Sequence, residues 1–403
     1  MHKLISVETA LKKINSAAKT MPVIPVPIVK ADGYVLAEDT FAKTTLPPLD
    51  ASAMDGYAVR LEARHKQGSI FTLTGEAPAG APFDGDVGKG ETVRIFTGGA
   101  VPTGANHVIM QENIRAYGEN ITLTEPISKS SHIRKAGIDF KKGDMVVPKG
   151  TLLDAYHIAI LAASNHGTLN VYKKPKIALL ANGDELVEPG SQASVGKVIN
   201  SNPYALAPLL RAWGADVILS GISKDDPTAI KADIEQQKDA NILVPIGGAS
   251  VGKRDYMKTV FSELGYAQIF SKVAVKPGKP VWFSRLEDAL VLGLPGNPAS
   301  ALVTAHIFLQ PLIHALTGNQ TPPLRTVRAA TTTDLKATTW RDEFIRAHAK
   351  VGSNGQLSVT PYPRQDSSLL TPFITTNCFL RRPANTPVAK IGDMVDVLMV
   401  KAW

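Results

Sequence analysis

The strongest constraint on this chain is the regular alternation of short apolar runs and amphipathic segments between residues 176 and 317. The runs at 176–181, 216–220, 241–245, 269–275, 281–284 and 289–293 have the length and β-branched content of buried strands. Between them, 203–213, 255–264 and 298–317 read as helices, closed by Gly214, Gly265 and Gly318. A further helix starts at Asp226, with Pro227 at its first position, where a missing N–H costs nothing. Strand–helix alternation with short connections predicts a mostly parallel sheet wrapped by helices, a three-layer α/β domain over 176–318.

The flanking sequence follows other rules. With 403 residues the chain exceeds one ordinary core. Residues 46–147 are rich in Gly, Pro, Thr and short β-branched runs (70–74, 92–96, 107–111, 121–124) and predict a β-rich lid domain. Residues 1–45 and 148–175 read as a linking unit. In it Ser6 caps one helix, and Asp154 caps another that runs to Asn165. After the linker-like stretch at 318–323, strands at 325–331, 343–350, 356–360 and 394–400 predict a small β-barrel over 324–403. The fold class is multi-domain α/β plus β.

Several classes of function are disfavoured at once. No run approaches the roughly 18 apolar residues of a membrane span, so no membrane role is expected. Cys378 is the only cysteine, which excludes an intramolecular disulfide and a cysteine-based zinc site. No secretory signal is visible, and a reducing cytoplasm is the expected location. The net charge of +8 comes in scattered basic pairs without a nucleic-acid motif, so no nucleic-acid partner is expected. A small anionic substrate suits that excess.

In open α/β sheets, ligands sit beyond the carboxyl ends of the strands. There the sequence places Asn182-Gly183-Asp184-Glu185, then Lys224-Asp225-Asp226, then the glycine-rich run from Gly247 to Asp255. Gly247, Gly248, Ser250 and Gly252 predict a phosphate or pterin cradle, because glycine lets backbone N–H groups approach an anion. Glu185, Asp225 and Asp255 are candidate donors for Mg²⁺, which takes one or two carboxylates and keeps waters. Lys272 and Lys276, an even number of positions apart on an expected strand, share a face, and Lys279 follows after a Pro-Gly turn. Compact ammonium charges suit oxyanions. Asn297 and Pro298 open the last long helix, a second candidate anion site. The stretch from Pro47 to Arg60, with Asp50 and Asp55, reads as a binding loop.

Taken in order, SAMDGYAVR, RIFTGGAVPTGANHVIMQE, GDELVEPG, SVGKRDYMK, VKPGKP and GLPGNPAS resemble the MoeA-type molybdopterin molybdenumtransferases, relatives of the E domain of gephyrin, over essentially the whole chain. The resemblance implies that the central domain is of the molybdopterin-binding type. It implies insertion of molybdate, a substrate, into adenylylated molybdopterin with Mg²⁺-dependent loss of AMP. It also implies a homodimer whose sites are completed by both subunits, with the molybdopterin adenylyltransferase and acceptor molybdoenzymes as partners. By motif matching it assigns catalysis to Asp55, Lys272 and Lys276, and metal binding to Glu185 and Asp225. Substrate binding falls to Thr97, Asp139, Gly247, Gly248, Ser250, Gly252, Asp255, Lys279, Pro295, Pro298, Arg346 and Ser367, with Arg134 a further candidate.

Three positions depart from the family pattern. Asn182 stands where Thr is usual, Asn200 where Asp is common, and Ile138 where Glu usually precedes Asp139. The departures keep open a divergent paralogue that handles tungstate or acts as a non-catalytic molybdopterin-binding scaffold. The adenylyltransferase of the preceding step has a single α/β domain, and the extra β domains here speak against that activity.

Overall fold

In the computed structural model of the protein, the described residues are 4–192, 194–247, 256–323 and 325–401. The central sheet has six strands in the spatial order Asp216–Ser223, Lys176–Asn182, Ile242–Ile246, Ala289–Gly293, Trp282–Leu286 and Ala267–Phe270. The first four run parallel and the last two pair antiparallel. Successive residues of Lys176–Asn182 feed opposite faces, as a two-residue period requires. Ile177 and Leu179 join a core with Leu206, Val244 and Phe308, whereas Ala178 and Leu180 join one with Ile230, Phe261 and Trp282. Burial on both faces explains why this strand reads as an unbroken apolar run.

The chain leaves Lys176–Asn182 for the edge strand Asp216–Ser223, then returns to the opposite side at Ile242–Ile246. That reversal parts the connections and opens a crevice between the carboxyl ends of Lys176–Asn182 and Ile242–Ile246. The long helix caps the crevice as Pro298–Thr304, a wider π-type turn at Ala305–Leu309, and Gln310–Thr317, ended by left-handed Gly318 at φ 64°. The wide turn ends two residues before Pro311, whose ring nitrogen cannot join the regular ladder. Contrary to the sequence expectation, Pro298–Thr317 is long and apolar enough to cross a membrane, but 89% of its apolar window is buried inside the fold. It is a core helix.

Val7–Ala17 starts where Ser6 Oγ accepts from Thr9 N, and its buried face of Val7, Ala10 and Ile14 packs into the same core as Leu312 and Ile313. The helix that the sequence groups with the linking segments thus packs against the α/β domain. Val23–Pro27, Thr168–Tyr172 and Val35–Leu36 form a small sheet whose core includes Leu161 of helix Ala155–Ala163. The β-rich domain is built on a six-stranded sheet in the order His107–Met110, Gly56–Val59, Glu91–Ile95, Ile70–Ala77, Asn120–Leu123 and Ile114–Tyr117.

In the carboxyl-terminal domain, Asp342–Val351 pairs with both Leu357–Pro361 and Cys378–Arg382, which closes a five-stranded barrel through Arg325–Thr331 and Met394–Met399. The strand Cys378–Arg382 is not read from sequence. The expected strand 269–275 also divides. Ala267–Phe270 stays in the α/β sheet, whereas Val275–Lys276 runs parallel to Asp342 and Glu343 on the barrel.

Candidate functional site

The crevice is a cleft of about 600 Å³, and Asn182, Glu185, Asn200, Gly247, Pro295 and Ser368 are among its walls. Its floor is a glycine contact. A Cβ added to Gly296 would lie 3.3 Å from Gly247 Cα, and Gly247 itself holds φ 97°, so side chains at these positions would crowd the floor. Asn202 Nδ2 donates to Gly296 O at 2.7 Å and fixes the loop that leads to Pro298. Pro298 lines the cleft at the first turn of its helix, where backbone N–H groups lack intrahelical partners.

One wall is rich in oxygen. Asn182, the last residue of its strand and 6% exposed, donates from Nδ2 to Asp225 Oδ1 at 2.9 Å. Its own Oδ1 is buried without a hydrogen-bond partner. Asp225 N donates to Asp184 Oδ1 at 3.2 Å, which ties the two strand ends together. Asp226 caps the next helix through Ala229 N at 2.9 Å. Glu185 folds back over Gly183, where an added Cβ would meet its carboxylate at 2.7 Å. Among the described residues no three His, Cys, Asp or Glu side chains gather closely enough to hold one ion. The donors present, two carboxylates and an orphaned amide oxygen, nevertheless fit Mg²⁺, which prefers hard oxygens and relies on few protein carboxylates. Gly248, Ser250, Gly252 and Asp255 lie outside the described residues.

The lysine turn stands at the rim through Pro280, which lines the cleft. Lys272 lies between the two strand pieces, not on a continuous strand. Burial still alternates from Ser271 to Lys276, so Lys272 and Lys276 keep to the less buried side. Lys276 Nζ pairs with Glu343 Oε1 at 3.1 Å, and Lys279 Nζ stands 5.7 Å from the centre of the Trp340 ring. Lys272 makes no ion pair among the described residues.

Arg346 does not reach the cleft. It is 2% exposed, and its guanidinium donates to Leu369 O at 2.6 Å, Asp366 O at 2.8 Å and Gln365 Oε1 at 3.4 Å. Burial pulls its pKa below the usual guanidinium value. The side chain clamps the loop whose Ser367 O accepts from Ala299 N at 2.9 Å and whose Ser368 lines the cleft. Asn297, expected to cap the long helix with its side chain, instead donates from Nδ2 to Ser367 Oγ at 2.8 Å.

A second cluster lies in the β-rich domain. Thr97 donates to Asp55 Oδ1 from its backbone N at 2.7 Å and from Oγ1 at 2.9 Å. The backbone bond, then the hydroxyl bond, holds the Asp55 carboxyl below its ordinary range. Gly56 allows the close strand approach behind it, since an added Cβ would lie 2.0 Å from Ile109 O. Arg134 sits on a two-residue strand paired with Ala51–Ser52, in the same loop region. Asp139 is exposed, on a loop held through Leu46 O. Asp55, Thr97 and Asp139 do not line the cleft around Glu185.

The structure adds Ser368, Asn202, Leu186 and Val198 to the cleft. Only the Val198–Asn202 segment carried a signal, as a departure at Asn200, and loop contacts of this kind leave no periodicity to read.

Comparison with known proteins bears on this geometry. Residues 5–164 match the MoeA N-terminal region (domains I and II), 178–315 a probable molybdopterin-binding domain, and 328–400 the MoeA C-terminal region (domain IV). A molybdopterin molybdenumtransferase of Haemophilus influenzae is 36% identical over 373 residues, 91% of each chain. One from Staphylococcus aureus is 29% identical over 99% of this chain and 96% of that one. The crystal structure of the molybdopterin biosynthesis MoeA protein from Pyrococcus horikoshii superposes with a TM-score of 0.80 at 28% identity, covering 100% of both chains. The chain belongs to the MoeA family of molybdopterin molybdenumtransferases.

Proposed function

We propose that this protein inserts molybdenum from molybdate into molybdopterin presented as its adenylylated form, with Mg²⁺-dependent release of AMP. Molybdenum transfer to molybdopterin accords with the names of its full-length relatives. The adenylylated substrate and the Mg²⁺ dependence rest on the cleft itself. Asn182 and Glu185 line it together with Pro298 at the helix start and Pro280 of the lysine turn, and Asn182 Nδ2 ties Asp225 to that edge.

On this reading phosphate oxygens lie over the floor at Gly247 and Gly296, where the lack of side chains lets an anion come close to the backbone. Lys272 and Lys276 draw molybdate to the rim and neutralise charge there; the Glu343 contact keeps the Lys276 ammonium in place. Glu185 and Asp225 would hold Mg²⁺, which supplies charge neutralisation at the phosphoanhydride as AMP leaves. Asp55, kept ionised by Thr97, lies in a separate domain. A homodimer in which the partner's β-rich domain meets this cleft brings the two clusters together. Cytoplasmic location and transfer of the product to acceptor molybdoenzymes belong to the same reading.

The test is to give the purified protein adenylylated molybdopterin, Mg²⁺ and molybdate, and to follow AMP release and cofactor formation. Ligand binding without AMP release refutes the transferase reading and favours a scaffold. Faster turnover with tungstate than with molybdate shifts the substrate assignment.

A further inference from the structure

Asn182 bears on the cleft in a way its family departure does not suggest. Its carboxamide is the most buried polar group on the oxygen-rich wall apart from Asn200, and only half of it is satisfied. The orientation is dictated by chemistry. A flipped amide would press its oxygen against Asp225 Oδ1, acceptor against acceptor, so Nδ2 must face the carboxylate at 2.9 Å. The oxygen is then left toward the glycine floor, 4.0 Å from the place a Cβ on Gly247 would occupy. Ser223, the register partner of Asn182 on the neighbouring strand, also buries a hydroxyl without a partner. Buried unsatisfied oxygens are rare, and two at one level of a sheet edge call for a polar ligand.

We propose that Asn182 is a positioning residue and neutral ligand of the divalent-cation site: its Nδ2 holds Asp225 in place while its Oδ1 supplies an uncharged oxygen alongside Glu185 and Asp225. A threonine here presents a hydroxyl on a shorter side chain. The carboxamide spans both tasks without adding a negative charge to a strand edge that already carries Glu185 and Asp225. The inference rests on the Mg²⁺ part of the proposed function.

The test uses the full chain and Mn²⁺ as a paramagnetic stand-in for Mg²⁺. Free Mn²⁺ is titrated by electron paramagnetic resonance with and without AMP, for wild type, Asn182→Ala, Asn182→Asp and Asn182→Thr, and thermal unfolding of each is followed with and without the cation. Loss of a supporting ligand partner typically weakens metal affinity by about 10–100-fold, and Asn182→Ala is expected to fall in that range. Asn182→Asp sets three carboxylates together. It is expected to be less stable than wild type without cation and to gain more stability from Mn²⁺ than wild type gains. Wild-type affinity in Asn182→Ala, or no larger cation-dependent stabilisation in Asn182→Asp, overturns the assignment to Asn182 while leaving the Mg²⁺ reading standing. If wild type binds no Mn²⁺ in either condition, both fall together. If Asn182→Ala is simply unfolded, the Asn182→Asp comparison still decides, because its sign is opposite with and without cation.

Discussion

Replacing Arg346 by lysine separates a clamp from a ligand contact. The guanidinium donates to two main-chain carbonyls, at 2.6 and 2.8 Å, and stacks 5.5 Å from the centre of Phe373. Lysine keeps the charge but offers a single point of donors on a different stem, so at least one carbonyl loses its partner. An unpaired, part-buried carbonyl costs about 1–3 kcal/mol, and the lost stacking about 1 kcal/mol more. Arg346→Lys is therefore expected to destabilise the carboxyl-terminal half by about 2–4 kcal/mol in urea unfolding. Because Ser367 O accepts from Ala299 N, loosening the loop should also speed hydrogen exchange at the Ala299 amide, read by mass spectrometry. Affinity for AMP should fall as a consequence, since Ser368 belongs to the cleft wall. The reasoning is refuted if stability and Ala299 exchange stay at wild-type values while affinity drops. That result would mean the guanidinium acts on the ligand itself.

Other perturbations test other parts of the argument. Asp55→Ala removes the acceptor of both Thr97 bonds and is expected to abolish cofactor formation while AMP binding changes less than about twofold, as measured by calorimetry. Gly278→Ala would place a Cβ 2.1 Å from Thr304 Cγ2 at φ 115°, displacing the lysine turn; a loss of about 2 kcal/mol or more in stability, with weaker retention of molybdate, is expected. Burial takes the His306 imidazole from 6.5 down to about 4. Its folded form resists protonation, so stability is unaffected above pH 6.5 and is lost as pH falls below it, by about 3 kcal/mol once pH reaches 4. Trp213, 5.0 Å from that ring, reports the transition by fluorescence, and His306→Leu should flatten the acid limb relative to wild type. An equally steep acid limb in the variant would assign the effect elsewhere.

What the sequence decided by itself is local or periodic. Ser6 and Asp154 cap helices because a side-chain oxygen reaches an amide two or three residues on, a contact written within one turn. The α/β domain was legible because doubly buried strands and one-sided helices alternate at different periods. Strand ends follow from that pattern, so the positions of Asn182, Glu185, Asp225 and Gly247 at one sheet edge could be read before any coordinate.

What only the tertiary structure decided is the choice of partner. Asn182 finds Asp225 across 43 residues, and Thr97 finds Asp55 across 42. Neither bond leaves a trace in periodicity, because polar side chains pair with whatever the fold brings within about 3 Å. Val275–Lys276 looks like the end of one strand, yet it joins the barrel because the free edge of Asp342–Val351 stands beside it. Arg346, read as a hand for the ligand, spends its donors on a loop 20–23 residues away, since a buried guanidinium must satisfy its N–H groups where it lies. Sequence fixes which groups sit at the sheet edge. The fold fixes which of them are already taken and which, like the Asn182 carbonyl, are left open to a ligand.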